Sequence, residues 1–130
     1  MFKKTLGAAL FAAIAAVAMA VPVQAHHAAS AEYDLSKRVS FDGTATRVAW
    51  INPHTQLWVT VKNDAGTLEN WQLTTVGVAA LRRSGEKTDQ LITIGETYKL
   101  VVYPSRTSAT RGLLESITLK DGRVLHMGLN

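Results

Sequence analysis

Cysteine is absent from all 130 residues, so neither a disulfide framework nor a thiolate nucleophile is open to this chain. Packing alone must hold the fold, and any metal site has to use imidazole, amine, carboxylate or thioether donors. Aromatic residues are few, three each of Trp, Tyr and Phe, and Phe2 and Phe11 stand close to the start. A membrane-length apolar run is also missing. The stretch Leu6–Ala20 is shorter than the roughly 20 residues a spanning helix needs. With Lys3 and Lys4 before it and the polar segment ending Val23-Gln24-Ala25 after it, it reads as a secretory leader. Small residues allow cleavage after Ala20 or after Ala25. The second leaves room for the polar spacer and makes His26 the first residue of the processed chain.

Charge of one sign is scarce once that leader is set aside. The whole chain carries 14 basic and 10 acidic residues, net +4. The leader holds Lys3 and Lys4 and no acid, so residues 26–130 keep 12 against 10, net +2. Such a balance excludes a polyanion-binding face of the nucleic-acid type, which concentrates Lys and Arg. The expected organisation is a leader over 1–25, an N-terminal arm over 26–37 and one β domain over 38–130.

The patterning is that of strands. Arg38–Trp50 is rich in β-formers, but its alternation changes phase, and a bend or bulge near Gly43 would reconcile the two halves. Asn52-Pro53 breaks the strand. Leu57, Val59 and Val61 then alternate with Trp58, Thr60 and Lys62 as a half-buried second strand. Asn63-Asp64-Ala65-Gly66 is a turn and Thr67–Leu73 a third strand. A short helix is predicted over Thr75–Ser84, capped by Thr74 or Thr75 and ended at Gly85. The patch Leu91–Ile94 is expected to pack back before a turn at Gly95. Strands follow near Tyr98–Val102 and Gly112–Leu119, and Asp121-Gly122 folds Arg123–Met127 back on the fifth strand. This order predicts an all-β fold with one short helix: a small five-stranded barrel of the oligonucleotide/oligosaccharide-binding (OB) type with a C-terminal β extension. A small sandwich or an open meander capped by the helix is the alternative.

Several motifs belong together: Ala25-His26-His27, Glu32-Tyr33-Asp34, Trp50-Ile51-Asn52-Pro53-His54, Trp71 and Leu81-Arg82-Arg83-Ser84-Gly85. In combination they resemble the bacterial exported family DUF6152 over essentially the whole processed chain. Ala28 stands where members usually have serine. The resemblance implies export and a small β fold, and it carries no activity.

No Ser-His-Asp order, phosphate-binding glycine loop or paired catalytic carboxylates stand out, which argues against an enzyme. The four histidines, His26, His27, His54 and His126, all fall outside strand interiors. Cleavage after Ala25 gives His26 both an α-amine and an imidazole. That pair can grip copper or another divalent transition metal in the manner of a histidine brace, completed by an imidazole from His27, His54 or His126, with the Met127 thioether favouring Cu(I). Tyr33, Asp34 and Asn52 are candidates for orienting such ligands or lining a ligand surface. For Tyr33 and Asp34 the structural alternative, a turn cap and a barrel-rim cover, is the better supported.

Trp58 lies on the strand face opposite Leu57 and Val59, where OB barrels place much of their binding surface. It either forms an aromatic platform or is covered by the N-terminal segment or the terminal hairpin. Arg82 and Arg83 suit the end of a helix dipole, and Arg106 and Arg111, flanking a Ser/Thr-rich loop, are candidates for an anion contact, with plain solvation the commoner role of such residues. The expected function is a periplasmic binding or accessory module for a metal, a small ligand or a partner protein. It is expected to have neither a stable membrane anchor nor a nucleic-acid partner. The metal reading rests on His26, His27 and His54, and the competing metal-independent reading on Trp58.

Overall fold

A computed structural model describes residues 27–129. The leader and His26 lie outside the described residues, as do the two candidate cleavage points. Six strands form one sheet: β1 (Val39–Ala49), β2 (His54–Lys62), β3 (Leu68–Val76), β4 (Thr97–Pro104), β5 (Arg111–Thr118) and β6 (Val124–His126). Their order is β3-β2-β1-β4-β5-β6, and a parallel pairing of β3 with β5 closes the first five into a barrel. That closure is the OB-like topology with a C-terminal β extension, and it removes the sandwich and the open meander. Closure also spares β3 an unpaired edge.

The long first strand bends as its sequence requires, but later than expected. Ala45 pairs with Val59 and Arg47 with Trp58, so Thr46 is an extra residue against one step of β2. The phase change therefore falls at Thr46 and not at Gly43. Gly43 serves a different purpose. A Cβ there would sit 2.9 Å from Leu100 Cδ1 and 3.0 Å from Val59 Cβ, so only glycine lets β1 pass this closely over the core.

Inside the barrel, Leu57, Val59, Leu73, Leu100, Val102, Leu114 and Ile117 are all buried, and Met127 from the terminal extension joins them. Trp50 and Trp71 pack against the edge of this cluster, as a core or rim role demands, with Trp71 stacked 4.8 Å from Phe41. The extension seals the seam between β3 and β5. Met127 N–H donates to Glu115 O at 2.7 Å, Val76 N–H donates to Met127 O at 3.2 Å, and the Thr75 hydroxyl donates to the same Met127 oxygen.

Two helical expectations are corrected. β3 continues through Thr74, Thr75 and Val76, because these β-branched residues pack and pair as strand. The helix therefore starts later, as α2 (Val78–Arg83), and neither Thr74 nor Thr75 caps it. A second short helix, α3 (Thr88–Leu91), runs into the start of the Leu91–Ile94 patch. Leu91 is buried, whereas Ile94 is exposed beside the Gly95 turn, so only part of the Leu91–Ile94 patch packs back.

The first described residues of the arm are helical. Residues 27–32 form α1, with Tyr33 N–H donating to Ala29 O at 2.8 Å. Alanine at 28, 29 and 31 makes this the favoured local state. Among the described residues no helix is long and apolar enough to cross a membrane.

Candidate functional site

The arm is fastened to the barrel and not free. Tyr33 bridges to Ser105, Asp34 N–H donates to Pro104 O at 2.9 Å, and Arg106 Nε donates to Ser30 O at 3.0 Å. Asp34 caps the following turn, accepting from the Ser36 hydroxyl at 2.6 Å and the Ser36 N–H at 3.2 Å. It also meets Lys37 at 3.4 Å and Arg106 at 3.9 Å. The Ser36 hydroxyl bond, before the nearby cations, holds its carboxyl below the usual aspartate value. Tyr33 is only 3% exposed. Burial raises its phenol above the ordinary tyrosine value, partly offset by a hydrogen bond with Thr74. Both residues therefore have structural work to do in the turn and on the rim.

Asn52 is structural as well. Its side-chain oxygen accepts from Ala79 N–H at 3.0 Å, a cap delivered to α2 from the β1–β2 loop. Gly77 makes room for this loop, since a Cβ there would lie 2.5 Å from Pro53 O.

The described histidines are scattered over three elements. His27 lies on α1, His54 begins β2 opposite Val76, and His126 lies on β6 opposite Ser116, all three exposed. Among the described residues no three His, Asp or Glu side chains converge to hold a metal ion. One of the histidines shares a cavity with the arm. Ala29 and Leu35 of the arm share a cavity of about 330 Å³ with Arg38, Tyr103, Leu113, Glu115 and His126, and His54 is not among its lining residues. A larger hollow of about 500 Å³ lies between α3 and the β5–β6 hairpin. Two of its lining cations are paired at 2.5 Å, Arg123 with Glu86 and Lys120 with Glu96.

Trp58 sits on the outer face of β2 and is half-buried. The Arg47 guanidinium from the neighbouring strand lies 4.4 Å from the ring centroid, a cation–π stack. Cross-strand register extends this pair into a row. Arg47 is opposite Trp58, Trp58 opposite Gln72, and Gln72 opposite Arg111. One step along the strands, Gln56 Oε1 accepts from Gln72 Nε2 at 3.2 Å and from Thr74 Oγ1 at 3.1 Å. The result is a polar face of amides, a hydroxyl and two arginines around one indole.

Sequence parity marks Trp58, Gln56 and Gln72 as outward. Sequence leaves Arg47 unmarked because its partner depends on the Thr46 bulge, and it marks Arg111 beside the Ser/Thr-rich loop but not beside Gln72, a place that exists only once the barrel closes.

A family model described as "Family of unknown function (DUF6152)" matches residues 13–115. No curated protein and no solved structure matches the chain.

Proposed function

Starting from the fact that this chain belongs to the DUF6152 family, we propose that it is an exported, non-catalytic binding module. In this reading the leader over residues 1–25 directs it to the periplasm and is removed after Ala25. The barrel then recognises a hydroxyl-bearing ligand across the outer face of β1, β2 and β3. The observation that supports this is the half-buried Trp58 at the centre of that face, beside the linked Gln56, Gln72 and Thr74 side chains. OB barrels use the same strands for oligosaccharides and oligonucleotides. An indole offers apolar area with little entropy to lose, while amides fix orientation.

The test is an amide-resonance titration of the processed protein with a panel of neutral and acidic oligosaccharides. The expected result is shifts confined to outward residues of β1–β3 and abolished by Trp58→Ala. Shifts that map elsewhere, or that survive Trp58→Ala unchanged, count against the reading.

A second reading keeps a copper-type site on the His26 amine and imidazole. The shared cavity of the arm and His126 favours His126 over His54 as its partner. Copper titration of the processed chain discriminates. Loss of binding in His126→Ala but not in His54→Ala supports this version, and the reverse restores the set His26, His27 and His54.

A further inference from the structure

Arg47 and Arg111 close the two ends of one transverse row on the outer face, with Trp58 and Gln72 between them. Three strand-to-strand steps of about 4.8 Å put their Cα atoms about 14 Å apart. Both arginines are exposed, and among the described residues neither has a carboxylate within 4 Å, whereas Arg38, Arg106 and Arg123 all do. Glu32 borders the Arg111 end through Tyr33 without forming such a pair. The outward acid of β1, Asp42, lies opposite Lys99 of β4, away from the row.

From this arrangement we infer that the face takes an acidic oligosaccharide, a chain of sugar rings bearing carboxylates. This inference rests on the outer-face reading above. The Trp58 ring, with the Arg47 guanidinium carbon 4.4 Å from its centroid, holds that cation in place by cation–π attraction, and a guanidinium so anchored can receive a carboxylate bidentately through its N–H groups. Arg111 offers a second anchor at the far end of the row. Between the anchors, Gln56, Gln72 and Thr74 meet ring hydroxyls, a chemistry that an aromatic anion or a simple phosphate would leave unused. Two arginines are too few to neutralise a nucleic-acid backbone, whose binders engage many phosphates.

The experiment titrates the processed protein with oligogalacturonic acid and, separately, with its methyl ester, the same chain without the negative charge. Binding is read by calorimetry and by shifts of β1–β3 amide resonances. The acid is expected to bind at least tenfold more tightly than the ester. Arg111→Gln, which does not touch Trp58, is expected to weaken the acid about tenfold and leave the ester unchanged. Arg47→Lys keeps the charge but loses the bidentate guanidinium, and is also expected to weaken the acid. Far-UV circular dichroism confirms that both variants are folded. Equal binding of acid and ester, lost in Trp58→Ala, would overturn the acidic class and leave the face reading standing. Absence of any β1–β3 shift with the acid would also overturn the acidic class, and the neutral members of the panel then judge the face reading separately.

Discussion

Two halves of the same barrel surface have been put to different uses. Over β4 and β5 the N-terminal arm covers the outer face. Leu113 points outward, beside Thr74 and Tyr103, yet is only 3% exposed. Two cations under or beside the arm have partners: Arg38 meets Glu115 at 2.6 Å and donates to the Tyr103 hydroxyl, and Lys37 meets Asp34. From β1 across β2 and β3 to the first residue of β5 runs the outward row of Arg47, Trp58, Gln72 and Arg111, with Tyr33 of the arm reaching Thr74 at its border, and among the described residues neither arginine has a carboxylate within 4 Å. An outward apolar residue and matched charges mark a surface committed to folding. Outward amides, an indole and unmatched arginines mark one left for recognition.

The sharpest break between the halves should appear on truncation. Leu113→Ala empties a packed site under the arm and is expected to cost about 2–4 kcal/mol. Thr60→Ala, on the outer face of the other half, is expected to stay within about 0.5 kcal/mol, as surface changes usually do. Urea unfolding of both variants measures the contrast, and similar losses would remove the distinction.

A smaller effect of opposite sign is expected in the interior beneath the open half. Thr55 is fully buried opposite Thr75. The Thr75 hydroxyl reaches Met127, but the Thr55 hydroxyl has no partner among the described residues. Thr55→Val keeps the shape and removes an unsatisfied polar atom, so it is expected to stabilise the protein by about 1 kcal/mol. A lower thermal midpoint in that variant would show that the hydroxyl is satisfied in solution.

How much of this was readable in advance follows from the range of the interactions involved. The alternation in β2, the Asp121-Gly122 hairpin and the outward face of Trp58 depend on neighbouring residues, and all three were legible. The family was legible too, from short motifs around His26, Tyr33, Pro53 and Trp71. The helix start was misplaced because its cap comes from Asn52 in another loop, and because Thr74 and Thr75 satisfy their backbone in β3. The bulge was misplaced because Gly43 is needed for close packing over Val59 and Leu100, which a single sequence does not separate from a bend. The Arg47–Trp58–Gln72–Arg111 row was hidden for the same reason. It requires one bulge and one parallel closure between strands far apart in the chain, and neither leaves a local pattern.

Tyr33 ties the arm to the rim and gives the covered half a pH signature. Its raised pKa means that the folded state holds the phenolic proton more tightly than the unfolded chain. The stabilisation this confers is intact below pH about 10, the unfolded value, and disappears as the pH climbs through the higher folded-state value. Tyr33→Phe is therefore expected to lose part of the steepening of thermal instability in that alkaline window. An unaltered alkaline profile would mean that the phenol is not held as the structure places it.

The smallest expected effect separates two arginines, one from each half. Arg38 is bound to Glu115 on the covered side, and Arg47 lies on Trp58 on the open side. Both are exposed, so solvent screening leaves each interaction only a small contribution to stability. Their responses to salt and to a second substitution should nevertheless differ. Coupling between Arg38 and Glu115, measured by a double-mutant cycle with Arg38→Gln and Glu115→Gln, is an ion-pair energy and should shrink as sodium chloride screens it. Coupling between Arg47 and Trp58, measured with Arg47→Gln and Trp58→Leu, contains the dispersion and stacking of a flat guanidinium on an indole and should fall less. Trp58 emission should also shift in Arg47→Gln and stay unchanged in Arg38→Gln. A vanishing Arg47–Trp58 coupling would mean that the guanidinium is not held in place, and the open half would then lack the preorganised anchor that distinguishes it from ordinary solvated surface.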